Sequence, residues 1–212
     1  MSRPRLIVFA SGTKTGGGSG FENLATSSEL DAEIVAVVSS NESGGVRERA
    51  ERLGVPFVYM PAPYDAAAYK KVVEESGAEW VALSGWLKLV HGLDPRKTFN
   101  IHPAPLTSSH KFAGDKMYGH NLHAEIAEAL ERGDITESAV AMHFVTDQYD
   151  LGPVFFEQPV PLTKGMTAEQ IQKAVNLVEH EWQPRITSKV VRGEISWDGK
   201  DPTSLKVRDI TV

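Results

Sequence analysis

The stretch Phe99-Asn100-Ile101-His102-Pro103 sets a carboxamide and an imidazole two residues apart. On an extended segment that spacing puts both side chains on one side, aimed at one spot. An amide donor beside an imidazole suits acyl transfer, in which one group steadies a developing oxyanion and the other handles the proton of an amine. The plain alternative is a buried histidine satisfied by a backbone carbonyl. A second stretch, Met142-His143-Phe144-Val145-Thr146-Asp147-Gln148-Tyr149-Asp150-Leu151-Gly152-Pro153, reads as a strand running into a turn that carries two acids. Either acid could orient an imidazole. A carboxylate beside His102 would fix its tautomer and favour its charged form, so the ring could act as a neutral general base or, as preferred, as an imidazolium that meets an oxyanion. Asp147 and Asp150 could instead make Asx-type turn bonds before Gly152-Pro153, and for Asp147 that is the preferred account.

Gly16-Gly17-Gly18-Ser19-Gly20 separates a first predicted strand from a first predicted helix, where free N–H groups and the helix dipole favour a phosphate. The pattern is not that of a dinucleotide site, because the next strand ends in Ser39-Ser40-Asn41 rather than in an acid. A merely flexible turn is the alternative. Trp86, Leu87, Leu89 and Val90 follow Ser84-Gly85 as an apolar loop that could hold a flat heteroaromatic ligand or be ordinary core. His120 and His123 could share a helix face, but no H-E-x-x-H and no clear third ligand accompany them, so no metal is expected.

These groups need a scaffold, and the apolar pattern supplies one. Strands are expected at 6–10, 33–39, 56–60, 80–83 and 97–102, alternating with helices at 21–28, 45–53 and 66–76. The run EIVAVVS is β-branched and continuous, as in a strand buried on both faces. Repeated βα units predict an α/β, Rossmann-like doubly wound, mostly parallel sheet with ligands beyond the carboxyl ends of its strands. After residue 103 a polar loop leads to a helix at 120–132, strands at 139–145 and 154–160, and a long helix at 167–193. One domain over 1–212 is expected, with a Rossmann-like phosphate-binding half at 1–102 and a C-terminal half at 103–212 that completes the site.

Composition narrows the function. Without cysteine, thiol nucleophiles and Cys-ligated metals are excluded. A net charge of −6, from 28 acids against 22 bases, argues against a nucleic-acid partner. The N-terminal apolar run is too short to span a membrane and has no cleavage site, so the cytoplasm is the expected compartment.

Taken together, Asn100-Ile101-His102-Pro103 and His143-Phe144-Val145-Thr146-Asp147-x-x-Asp150-x-Gly152-Pro153 resemble the two signatures of the phosphoribosylglycinamide formyltransferases, folate-dependent enzymes of purine synthesis. The similarity runs in order from the first strand through Ser84-Gly85-Trp86-Leu87-Lys88-Leu89-Val90 to Glu179-His180. The resemblance implies transfer of a formyl group from 10-formyltetrahydrofolate to the amine of glycinamide ribonucleotide, with Asn100, His102 and Asp150 as the catalytic trio. It implies that Gly18, Ser19 and Gly20 hold the substrate phosphate, and that Glu179 and Asn176 contact the substrate. Leu87, Lys88, Leu89, Val90, Thr146, Asp147 and Tyr149 would hold the folate. The implied partners are small molecules alone, with neither metal nor membrane, in a monomer or homodimer.

The chain departs from the family at several points, as a divergent member would. The phosphate loop is longer, Gly20 stands for an asparagine, Lys88 stands where arginine is common, and Leu151 replaces a glycine. No arginine occurs near Ala66 and Ala67, and the loop 104–119 is longer than in common members. Rivals in the same superfamily are an amino-sugar nucleotide formyltransferase and a formyltetrahydrofolate hydrolase. A methionyl-tRNA formyltransferase fits less well, and a non-catalytic folate or nucleotide binder is the rival of a different class.

Overall fold

The computed structural model describes residues 2–107, 112, 114 and 119–208, so most of the long loop expected at 104–119 lies outside the described residues. The first half alternates β1 (Arg5–Phe9), α1 (Ser19–Thr26), β2 (Glu33–Ser39), α2 (Gly45–Leu53), β3 (Phe57–Tyr59), α3 (Ala66–Ser76), β4 (Trp80–Ser84) and β5 (Thr98–His102). α4 (Gly119–Arg132), β6 (Glu137–Phe144), β7 (Val154–Pro161) and α5 (Ala168–Val191) follow. The seven strands form one sheet in the order β3-β2-β1-β4-β5-β6-β7. β1 to β5 are mutually parallel, whereas β6 runs antiparallel to β5 and β7 antiparallel to β6. The fold is thus α/β with a mostly parallel, doubly wound sheet.

Each strand of the parallel part feeds both faces of the sheet, because successive side chains point opposite ways. In β1, Leu6 and Val8 join a core with Phe21, Leu24, Ile126, Ile171, Val175 and Ile186 of the helices on one face. Ile7 and Phe9 join a second, smaller core with Tyr69 of α3 and with Met60, Trp86 and Val90 on the other. α3 starts where the Asp65 carboxylate accepts from Ala68 N and stops at Gly77, in the left-handed region at φ 65°. α5 starts at a capping box between Thr167 and Gln170. The hairpin of β8 (Ile195–Ser196) and β9 (Lys206–Val207), unexpected from the sequence, has two-residue strands that are too short to show a period. No helix among the described residues is long and apolar enough to cross a membrane.

α5 runs through Pro184. Proline has no N–H to give to the carbonyl four residues back, which leaves the His180 carbonyl without its helical donor. Asn23 of α1 fills that place: its Nδ2 donates to His180 O at 2.9 Å. Farther along, Ser188 Oγ donates to Glu29 O at 2.7 Å and accepts from Asp31 N at 2.8 Å. The Asn23 side chain of α1 and the backbone of the segment after it therefore tie α1 and that segment to α5.

Asn23→Ala is expected to lower the unfolding free energy by about 1 kcal/mol, since it leaves a part-buried carbonyl unsatisfied. Pro184→Ala restores an N–H for that carbonyl, so the double variant should lose less than the sum of the single ones in a urea-denaturation cycle. Strictly additive losses would show that the two residues do not serve one carbonyl.

Candidate active site

In a sheet of this order the chain turns in opposite directions after β1 and β4, and the space beyond their carboxyl ends is left open. A cavity of 310 Å³ lies there, walled by the glycine loop, the ends of β4 and β5, the turn after β6 and one face of α5. Ser11 N donates to Gly85 O and Leu87 N to Ser11 Oγ, both at 2.9 Å, so the two loops are tied to each other. Gly18 precedes the first turn of α1 at φ 83°, and no side chain caps the helix, so its leading N–H groups face the cavity end. A Cβ at Gly18 would lie 3.0 Å from Val46 Cγ2 and 3.2 Å from Val46 Cα, besides the strain of that backbone. From outside, Arg49 holds the loop by donating Nη1–H to Gly17 O at 2.9 Å while its Nε pairs with Glu22 at 2.7 Å.

β5 delivers Asn100 and His102 to the same wall of the cavity. Because β6 is antiparallel, His143 sits directly across from Asn100 in the ladder. Its Nδ1–H donates to Phe144 O at 2.9 Å, leaving Nε2 to accept from Asn100 Nδ2 at 3.1 Å. The second hydrogen of the Asn100 amide is then uncommitted. Asp150 reaches this group from the following turn, with Oδ1 3.5 Å from His143 Nε2 and Oδ2 3.9 Å from His102 Nδ1. Gly114 N also donates to Oδ2, at 3.0 Å. Among the described residues, Asp150 is the one non-glycine residue with a left-handed backbone, φ 52°, which a short polar side chain tolerates best.

Protonation follows from burial. His102 is 4% exposed, and that burial holds its imidazole below the ordinary value, although the Asp150 charge and the bond to Phe112 O push it up. The imidazolium expected from the sequence is therefore not the resting form, because desolvation outweighs the carboxylate. Neutral His102 donates Nε2–H to Phe112 O at 2.8 Å, which leaves Nδ1 as the free base turned to Asp150. For Asp150 burial pushes the carboxyl up, but it is overcome by His143, by the charge of His102 and by the Gly114 N–H, and the group is held down at about 2. With His102 neutral and His143 Nε2 accepting from Asn100, the Gly114 N–H is the support that acts in the resting site. Across the cavity, burial pushes the Glu179 carboxyl of α5 up to about 7.

Most of the residues singled out in the sequence meet here. Gly18, Ser19, Gly20, Leu87, Asn100, His102, Tyr149, Asp150, Asn176 and Glu179 all line this cavity. Val90, Thr146 and Asp147 line a second cavity of 270 Å³, where Asp147 Oδ1 accepts from Gly92 N at 3.4 Å. Lys88 and Leu89 line neither. The Lys88 ammonium lies 5.4 Å from the centre of the Tyr64 ring, and Leu89 O accepts from Tyr69 Oη at 3.0 Å. Reasoning from the sequence missed His143, Ser84 and Gln183. The first was within reach, since pairing β5 with an antiparallel β6 puts it opposite Asn100.

Residues 4–187 match the Formyl transferase family, and the chain belongs to that family. The phosphoribosylglycinamide formyltransferase of Bacillus subtilis is 27% identical over 207 residues, covering 90% of this chain and 98% of the relative. A chloroplastic enzyme of the same name from Arabidopsis thaliana is 28% identical over 92% of this chain and 68% of its own length. Among solved structures, glycinamide ribonucleotide transformylase 1 from Symbiobacterium toebii superposes with a TM-score of 0.80 at 25% identity, over 98% of this chain and 95% of that one.

An NMR titration is expected to place the His102 pKa below 6.5, and lower still in Asp150→Asn, because the carboxylate raises it. If neutral His102 is the working form, activity falls as pH drops through its folded pKa, and the acidic limb of kcat/KM moves to lower pH in the variant. A His102 pKa above 6.5 in the folded protein would reverse this assignment.

Proposed function

We propose that this chain transfers the formyl group of 10-formyltetrahydrofolate to the amine of glycinamide ribonucleotide. The supporting observation is that one cavity holds a helix N-terminus fit for a phosphate at one end and Asn100, His102 and Asp150 at another, with His143 bonded behind Asn100. A phosphorylated amine anchored at Gly18, Ser19 and Gly20 lies along α5 beside Asn176 and Glu179, with its amine toward Asn100. Leu87 and Tyr149, with Val90, Thr146 and Asp147 of the second cavity, are the parts of the proposed folate site that open to solvent-accessible space. Lys88 and Leu89 border that site through Tyr64 and Tyr69.

The amine nitrogen attacks the formyl carbon as the C=O π pair moves to oxygen. The free amide hydrogen of Asn100 meets that oxyanion. Neutral His102 accepts the amine proton at Nδ1, where Asp150 stabilises the imidazolium as it forms. Collapse of the intermediate re-forms C=O and breaks the bond to N10, which leaves with the proton from His102. No acyl-enzyme intervenes. Asp150 thus acts on the charge that develops during the reaction, and the resting ring stays basic.

With 10-formyltetrahydrofolate and glycinamide ribonucleotide the wild-type protein should form the N-formyl product. Asn100→Ala should lower kcat by about 100- to 1,000-fold, the usual loss for one oxyanion donor. Preference for a 4-amino-sugar nucleotide, or equal release of formate without any acceptor, would refute the proposed acceptor.

A further inference from the structure

Ser84 closes β4 and Gln183 sits on α5, and both line the main cavity although they are only 7% and 2% exposed. Neither side chain makes a hydrogen bond among the described residues; the buried Ser138 and Thr187 hydroxyls share that lack, but Ser84 and Gln183 line the cavity and those two do not. A buried carboxamide without partners is costly, so one that faces a cavity marks where a ligand supplies the missing groups. Gly20 completes this wall. A Cβ there would lie 2.2 Å from Ser84 Oγ and 3.2 Å from Gln183 Oε1, so any side chain at 20 would push both polar groups away from their present places.

We infer that Ser84 and Gln183, across the gap left by Gly20, form a subsite for sugar hydroxyls of the acceptor. The inference deepens the proposed function, since it takes the acceptor to be a phosphorylated sugar amine. Both side chains are neutral and each can donate and accept, which matches hydroxyl groups; a second phosphate would call for a cation, and an apolar group would leave the amide unpaired. Their position also fits a ring held between its phosphate and its amine. Gln183 lies one and two turns beyond Glu179 and Asn176 on the same face of α5, and Ser84 lies between the glycine loop and Asn100 in the wall of the cavity. An acceptor lacking these hydroxyls would leave both groups buried and unsatisfied, so the subsite discriminates as well as binds.

The test is calorimetric titration of the wild type, Ser84→Ala and Gln183→Met with ribose 5-phosphate and, separately, with inorganic phosphate. Wild type should bind ribose 5-phosphate more tightly than phosphate. Each variant should weaken ribose 5-phosphate by about 3- to 10-fold, the range of a lost neutral hydrogen bond, with phosphate unchanged. Thermal midpoints should not fall, because an unpaired buried amide or hydroxyl is being removed. The subsite is refuted if both variants bind ribose 5-phosphate as wild type does, if they lose both probes equally, or if wild type binds the sugar phosphate no better than phosphate. Turnover of glycinamide ribonucleotide by the wild type reads the proposed function separately. The expected binding pattern without turnover would overturn the acceptor and retain the sugar subsite.

Discussion

The antiparallel pairing of β6 on β5 is the constraint on which the site depends. It sets His143 opposite Asn100 and so uses one hydrogen of the carboxamide while leaving the other toward the cavity. It also makes β6 run toward the amino ends of the parallel strands, with Phe144 opposite Phe99, and the segment that follows doubles back to bring Asp150 beside His143 and His102. Hydrogen-bond register between β5 and β6 thus fixes Asn100 against His143, since a one-residue slip would turn either side chain to the other face.

Burial then decides what those side chains are. Removing His102 from water favours the neutral ring, and the same low-dielectric setting strengthens its attraction to Asp150 once a proton arrives. The site therefore rests as a base beside an anion. It is best stabilised after proton transfer, which is the differential stabilisation that catalysis requires. Burial favours the neutral form of Glu179 as well, which for a carboxyl means a rise, to about 7.

The parallel half of the fold was legible because both of its periods are clean: EIVAVVS reads as a strand buried on two faces, and Ala66–Ser76 is bracketed by Asp65 and Gly77. Asn100 and His102 could be paired from spacing alone. Choosing Asp150 over Asp147 could not, since both sit in a polar turn, and only the family resemblance and then the distances separate them. The protonation of His102 was misjudged because one term, the carboxylate, is visible in sequence while the other, desolvation, arises from the packing of Phe112 and the neighbouring strands. Ser84 and Gln183 carried no signal, as an isolated serine or glutamine becomes informative only when its surroundings are known to be dry.

The left-handed backbone at Asp150 bears on how descendants of this chain can change. At φ 52° asparagine and glycine meet the same conformational demand as aspartate, and their codons lie one base away. A lineage released from catalysis could drift to either without disturbing the turn, whereas β-branched residues are barred by the backbone itself. An amide or a bare glycine at this position would therefore record lost selection for charge in a protein that still folds, while persistence of aspartate against two such easy exits would record selection on the carboxylate and not on the loop.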